Sequence, residues 1–406
     1  MKSKRYLVVS RGESFADSAG PALETLGGHQ PEPAASLPRA EVVELDRSDA
    51  RDALRDDKTL AVIPSIPIVL IRPVKDGQQD CPGCQEQVLG DDRDDATWGL
   101  EAIGALASNF AGAGVKVAVL DTGIDLQHPA FERLLEEGRI QRRNFTAGAA
   151  DDVGDHDGHG THCAATICGG VVDGVRLGVA PELSGLLVGK VLGPGAGGAD
   201  RIGSALLWAT ESGADVISMS LGYDFPGWVA KLVEDDDVPV QQATSMALED
   251  YRQIIDGFRE ITDVLRQRGT LVVAATGNES CRPKYTINVA PPSAADGIVS
   301  VGAVARFADG LGVACFSNSR PAVVAPGVRV RSARLGGGLT ESNGTSMATP
   351  HVAGIAALWH QALSEQNGHV TRDMMMAKLL GKATLDPLRN GSKRWQDVGS
   401  GLVQAP

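Results

Sequence analysis

The chain has 406 residues, and its 38 basic against 51 acidic side chains leave a net charge of −13. No cluster of Lys and Arg stands along it, which argues against nucleic-acid binding, because neutralising phosphates takes a basic face. Hydrophobic residues at 43% exclude global disorder, and aromatics at 4% beside 49 glycines point to a core of Ala, Val, Leu and Ile with many tight turns.

The N-terminus opens on basic residues, but the apolar run that follows spans only 6–9, too short for a signal-peptide core. Six cysteines are too few for a disulfide framework in a chain this long, so the expectation is a cytoplasmic protein with reduced thiols. The run 6–9 predicts a strand, 15–26 a helix and 42–45 a strand; Ser48 is expected to cap a helix through residue 54. A further strand is needed within 28–40, whose prolines support it poorly. The longest apolar stretch, 60–71, reads as extended; broken by Pro64 and Pro67, it is too short to cross a bilayer, and no membrane contact is expected. This alternation of strand and helix suggests a small α+β domain. Residues 1–95 carry 12 basic and 18 acidic side chains, the denser acidic part of the chain. Residues 75–96, with CPGC and DDRDD and no apolar period, read as an exposed linker.

From residue 98 the pattern changes. The runs 115–120, 186–191, 216–219, 271–275 and 298–301 are continuously apolar, as strands covered on both faces are. Helices are expected over 201–211 and 245–268 between them. The fold class is therefore α/β, a doubly wound, mostly parallel sheet with helices on both faces and ligands at the carboxyl ends of its strands.

Four segments stand at those ends. Asp121 closes a strand in VAVLDTGID, His159 opens a helix in GHGTHCA, Asn278 follows a strand in AATGNES, and Ser346 starts a long helix in NGTSMATPHVAG. These are the parts of an acyl-transfer site. A serine hydroxyl needs a base to take its proton, and histidine titrates in the right range. The imidazole needs a carboxylate to fix its tautomer, which Asp121 can supply. The tetrahedral intermediate carries an oxyanion, for which the Asn278 amide and the Ser346 N–H are the candidate donors. Pro350 is expected in the first turn of the Ser346 helix, where its missing N–H costs little.

The order Asp, His, Ser on an α/β sheet resembles the subtilisin-like serine proteases. DTG at 121–123, HGTH at 159–162, SLG at 220–222, GN at 277–278 and GTSMATPH at 344–351 stand as that family writes them. The likeness implies a serine endopeptidase acting on an extended peptide or protein substrate through an acyl-enzyme. It implies substrate contacts at Ser220, Leu221 and Gly222 on one side and Ala274, Ala275 and Thr276 on the other, with Glu279 close by. It also implies an inhibitory, ferredoxin-like prodomain over 1–75, a linker over 76–96 and a catalytic domain over 97–406. The tail near 72–80 would then lie in the cleft and be cut within 72–97. The 223–270 segment is longer than the family's usual connection; if it flanks the cleft, its acidic 234–237 would favour basic peptides. No cofactor is implied. The structural calcium of many relatives needs side-chain oxygens where this chain has Ala130 and Val172, so no metal is expected.

Other readings stand beside this one. DTG also heads aspartic-protease sites, but one copy demands a homodimer. His156, His159 and His162 recur every three residues and could hold zinc, although Gly158 and Gly160 weaken a helical ligand face. A catalytically silent, protease-shaped binding or scaffold protein is the non-enzymatic alternative. Cys163, four residues after His159, is either a small buried filler or a thiol beneath the histidine. Cys168, Cys281 and Cys315 are expected as buried fillers, Cys81 and Cys84 as a linker turn, and the acidic runs 91–95, 151–157 and 234–237 as solvated loops.

Overall fold

A computed structural model describes residues 4–12, 38–74, 88–90, 94–193, 198–234 and 237–406. Among the described residues the first unit has a three-stranded antiparallel sheet of β1 (Lys4–Ser10), β2 (Arg39–Leu45) and β3 (Thr59–Pro64), in the order β2–β1–β3, with α1 (Arg47–Ala53) between β2 and β3. The two-residue period of β1 sends Tyr6 to a small core with Ala50 of α1 and Val62, and Leu7 and Val9 to the opposite face. Asp46, not Ser48, caps α1: its extended backbone lets the carboxylate accept from the N–H groups of Ser48 and Asp49, while Ser48 lies inside the first turn. The expected helix over 15–26, and residues 28–37 of the stretch expected to hold a strand, lie outside the described residues; β2 begins at Arg39. The 60–71 run is broken at Pro64 and Pro67 into β3 and a short β4 (Ile68–Leu70).

The second unit follows in chain order: β5 (Lys116–Asp121), β6 (Ile140–Asn144), α2 (His159–Cys168), β7 (Gly185–Lys190), α3 (Ala199–Glu211), β8 (Val216–Met219) and β9 (Leu221–Tyr223). Then come α4 (Phe225–Glu234), α5 (Val240–Gln267), β10 (Leu271–Ala275), β11 (Ile298–Phe307), β12 (Gly310–Val313), β13 (Val323–Pro326) and α6 (Thr345–Asn367). Among the described residues the main sheet has eight strands, ordered β12–β11–β10–β8–β5–β7–β6 with β13 also on β11, and of its pairings only β11–β12 is antiparallel. Alternate residues of β5 divide between two cores, Val117 and Val119 with α2 and α6, Ala118 and Leu120 with α3 and α5. Helices therefore cover both faces, as expected. No helix among the described residues is long and apolar enough to cross a membrane.

The long 223–270 connection forms α4 and α5, and its business is with the first unit. Leu7, Val9, Ala61 and Ile63 are buried against α3 and α5. Two glycines permit this: a Cβ on Gly203 would lie 2.2 Å from Leu7 Cδ2, and one on Gly257 2.2 Å from Ile63 Cγ1. At the rim, Arg47 reaches Glu249 at 2.9 Å and Asp250 at 3.1 Å, Asp250 accepts from Trp228 Nε1 at 2.9 Å, and Asp200 accepts from Arg5 and from Ser65 Oγ. Of this segment Tyr223 lines the cavity beside residues 69–74, while 235–236 of the acidic run lie outside the described residues. Part of the expected linker is also anchored, since Leu89 N–H donates to the Arg306 carbonyl and Ala96 is buried.

Candidate active site

Asp121 ends β5 and His159 is the first residue of α2, entered through Gly158 in the left-handed region at φ 93°. Their side chains meet at 2.8 Å between His159 Nδ1 and Asp121 Oδ1, both buried, and Thr122 N–H holds the same carboxylate oxygen at 2.7 Å. A carboxylate accepts at Nδ1, which leaves Nε2 as the basic nitrogen, buried and without a hydrogen-bond partner among the described residues.

Ser346 is the second residue of α6, at the positive end of the helix dipole. Pro350 lies one turn further in than expected and leaves the Ser346 carbonyl without its usual i+4 donor. Ser220 Oγ at 3.2 Å and Cys163 Sγ at 3.4 Å donate to that carbonyl instead. Cys163 thus lies beneath the histidine, its Sγ 3.7 Å from Nδ1, with its pKa raised by burial. Asn278 is locked by its own oxygen, which accepts from Thr345 N–H and Thr345 Oγ1 at 2.9 Å each, so that Nδ2 faces the cleft.

The cleft already holds a piece of the same chain, and a cavity of 420 Å³ remains between residues 69–74 and the wall formed by Gly222, Tyr223 and residues 275–279. β4 pairs antiparallel with β9, Leu70 opposite Leu221 and Val69 opposite Gly222. Ser346 Oγ then donates to the carbonyl of Ile71 at 3.0 Å, and Asn278 Nδ2 to the next carbonyl, that of Arg72, also at 3.0 Å. Beyond Pro73, Val74 exchanges two hydrogen bonds with Asn343, at 2.8 and 3.0 Å. The Arg72 guanidinium is exposed, 3.9 Å from Asp157.

Of the residues expected on the second wall, Ala275 and Thr276 line the cleft with Glu279, whose carboxylate is pinned by Asn318 Nδ2 at 2.6 Å. Ala274 does not; the alternation along β10 turns it into the α3–α5 core. The three closely spaced histidines do not converge: His156 is exposed, and His162 is buried, turned to the Val330 carbonyl at 3.0 Å, its pKa lowered to about 3 chiefly by burial. Among the described residues the one His, Cys and carboxylate group close enough for a shared ion is Asp121, His159 and Cys163. Cys281 and Cys315 are disulfide-bonded rather than free fillers; Arg282 N–H donates to the Cys315 carbonyl, an adjacency that their separation in the sequence conceals. Cys168 is a buried filler with its pKa raised to about 12 by burial, and Cys81 and Cys84 lie outside the described residues.

One residue was hidden by its neighbours. The acidic run 151–157 is exposed at 151, 152, 156 and 157 but sends Asp155 inward. Nothing local marks it, since it stands three residues before Gly158, the N-cap of α2.

A profile described as the Subtilase family matches residues 112–399. An intracellular serine protease of Paenibacillus polymyxa is 36% identical over 313 residues, covering 75% of this chain and 84% of its own. The major intracellular serine protease of Bacillus subtilis is 35% identical over 260 residues, 62% of this chain and 70% of its own. Subtilisin Savinase of Lederbergia lenta is 34% identical over 330 residues, 76% and 96%. With a doubly wound sheet that brings Asp121, His159, Ser346 and Asn278 to one cleft, the chain belongs to the subtilase family.

Proposed function

We propose that this subtilase, a serine endopeptidase, is made in a form blocked by its own N-terminal unit. Asp121, His159 and Ser346 form its triad, Asn278 donates to the oxyanion, and residues 1–75 act as prodomain. The observation that carries this is the split of the two catalytic donors between two carbonyls, Ile71 for Ser346 and Arg72 for Asn278. Acyl transfer needs both on one carbonyl, the hydroxyl at its carbon and the amide at its oxygen. A segment that gives one carbonyl to each is bound like a substrate strand yet not poised for attack. Ser220, Leu221, Gly222, Ala275 and Thr276 would receive a peptide substrate on the same edges.

The test is labelling by a fluorophosphonate. The intact chain is expected to label slowly, and the rate to rise about tenfold or more once the first unit is trimmed away, as a competent fraction of the sites is released. Equal rates before and after trimming would overturn the block.

His159 is the base in this reading. Burial, the largest single influence, would lower its pKa, but the charges and hydrogen bonds of Asp121 and Cys163 together outweigh it and hold it well above 6.5. A base works unprotonated, so kcat/KM of the trimmed enzyme is expected to rise with pH along an acid limb above pH 6.5. A limb at or below that value contradicts the raised His159 pKa that Asp121 and Cys163 give it here.

The reading needs no metal. Ala130 and Val172 offer no side-chain oxygen, and the Arg176 guanidinium donates to the carbonyls of Gly178 and Val179 in that loop. Two relatives are named intracellular, which favours action in the cytoplasm; the disulfide-bonded Cys281 and Cys315 weigh against it.

A further inference from the structure

Asp155 is 7% exposed and accepts five hydrogen bonds. Its Oδ1 takes Thr122 Oγ1 at 2.9 Å, Asp157 N–H at 3.0 Å and Gly158 N–H at 2.9 Å; its Oδ2 takes Thr161 N–H at 2.9 Å and Thr161 Oγ1 at 2.6 Å. Thr122 follows Asp121, while Gly158 and Thr161 bracket His159. The two hydroxyls complete a cross-stitch. Thr122 Oγ1, on the strand side, accepts from Gly160 N–H on the helix side at 2.9 Å. Thr161 Oγ1, on the helix side, accepts from Asp125 N–H on the strand side, also at 2.9 Å. A hydroxyl has one proton, and with both protons committed to Asp155 the lone pairs are left facing those amides. Burial alone would raise the Asp155 pKa, but the bonds from Thr161, Gly158 and Asp157 outweigh it, so the carboxyl titrates below its usual range and stays charged.

We propose that Asp155 is a positioning residue, stitching the end of β5 to the start of α2 so that Asp121 and His159 keep the alignment on which proton transfer depends. The role rests on the triad reading above. It requires a charged acceptor at this position, because an amide would present N–H to groups that are themselves donors.

The experiment compares the parent with Asp155→Asn, both trimmed and titrated with a fluorophosphonate so that rates are counted per reactive serine. Expected for Asp155→Asn are a fall in kcat of about tenfold to a hundredfold with KM little changed, the scale of a small misplacement of a catalytic group. The acid limb of kcat/KM should also move to lower pH, because a loosened Asp121 stabilises the imidazolium less. The titratable groups facing the His159 ring are Asp121 and Cys163, and the substitution removes neither. Thr161→Val should lose activity in the same direction, and Thr161→Ser, which keeps the hydroxyl, should recover most of it. A folded Asp155→Asn enzyme with the parent's kcat and acid limb overturns the proposal, leaving Asp155 a stabilising residue only. If Asp155→Asn does not fold, Thr122→Val and Thr161→Val, each deleting one hydroxyl of the stitch, decide by the same two readouts. A trimmed parent that never labels overturns the triad reading instead, and this role with it.

Discussion

Ser346→Ala is expected to lower kcat by about 10⁶-fold, the scale found on removing the nucleophile of subtilisin, itself a subtilase. The reason is chemical, since no acyl-enzyme forms without the hydroxyl. Here that hydroxyl is buried at the start of α6, with Ser220 and Cys163 holding its residue's carbonyl from below. The same substitution should stop the chain from shortening itself, because a chain that leaves the docked, unproductive register, or a second molecule already trimmed, then has no nucleophile with which to cut it. Loss of the bond to the Ile71 carbonyl removes about 0.5–1.5 kcal/mol from the docking of that strand, so the fold and the docked first unit should survive. Hydrolysis of a chromogenic peptide and the band pattern on storage measure both effects. A Ser346→Ala preparation that still shortens, or turns over peptide at a rate near the parent's, would remove Ser346 from the role.

The sequence exposes what is local and conceals what is not. The strands over 216–219 and 271–275 match the structure residue for residue, because a strand buried on both faces leaves an unbroken apolar run bounded by turn residues. The segments of the proposed triad are legible for a similar reason: DTG, GHG and GTS mark places where a strand ends or a helix begins. β6 escapes notice because it is an edge strand whose sequence, IQRRN, is mostly exposed. Pro350 is visible, but its effect is not: the orphaned Ser346 carbonyl finds donors 126 and 183 residues away. Asp155 sits among acidic residues that face water, and only the fold shows that two threonine hydroxyls wait for it. The docking of β1 and β3 on α3 and α5 depends on Gly203 and Gly257, two residues that read as ordinary helix interior in the sequence.

Asn278→Ala should lower kcat by about 10²- to 10³-fold, or about 2.7–4 kcal/mol, the measured cost of losing one such donor in subtilisin. The geometry says why the loss should fall on kcat and not on KM. Thr345 fixes the amide from its oxygen side with two bonds of 2.9 Å, so Nδ2 is aimed before any substrate arrives and no reorganisation is needed as charge develops. A donor already in place gains most when a neutral carbonyl becomes an oxyanion, and interactions stronger in the transition state than in the ground state raise kcat. With the N-terminal unit docked, the same Nδ2 holds the Arg72 carbonyl, a neutral acceptor whose loss is worth about 0.5–1.5 kcal/mol. The two states therefore predict unequal penalties for one substitution: a large one on turnover and a small one on the grip of the N-terminal unit. Steady-state kinetics on the trimmed enzyme measure the first, and the labelling rate of the intact chain relative to the trimmed one measures the second. A variant whose KM rises while kcat is kept would show that Asn278 binds substrate and transition state alike, and would move the oxyanion role to the Ser346 N–H alone.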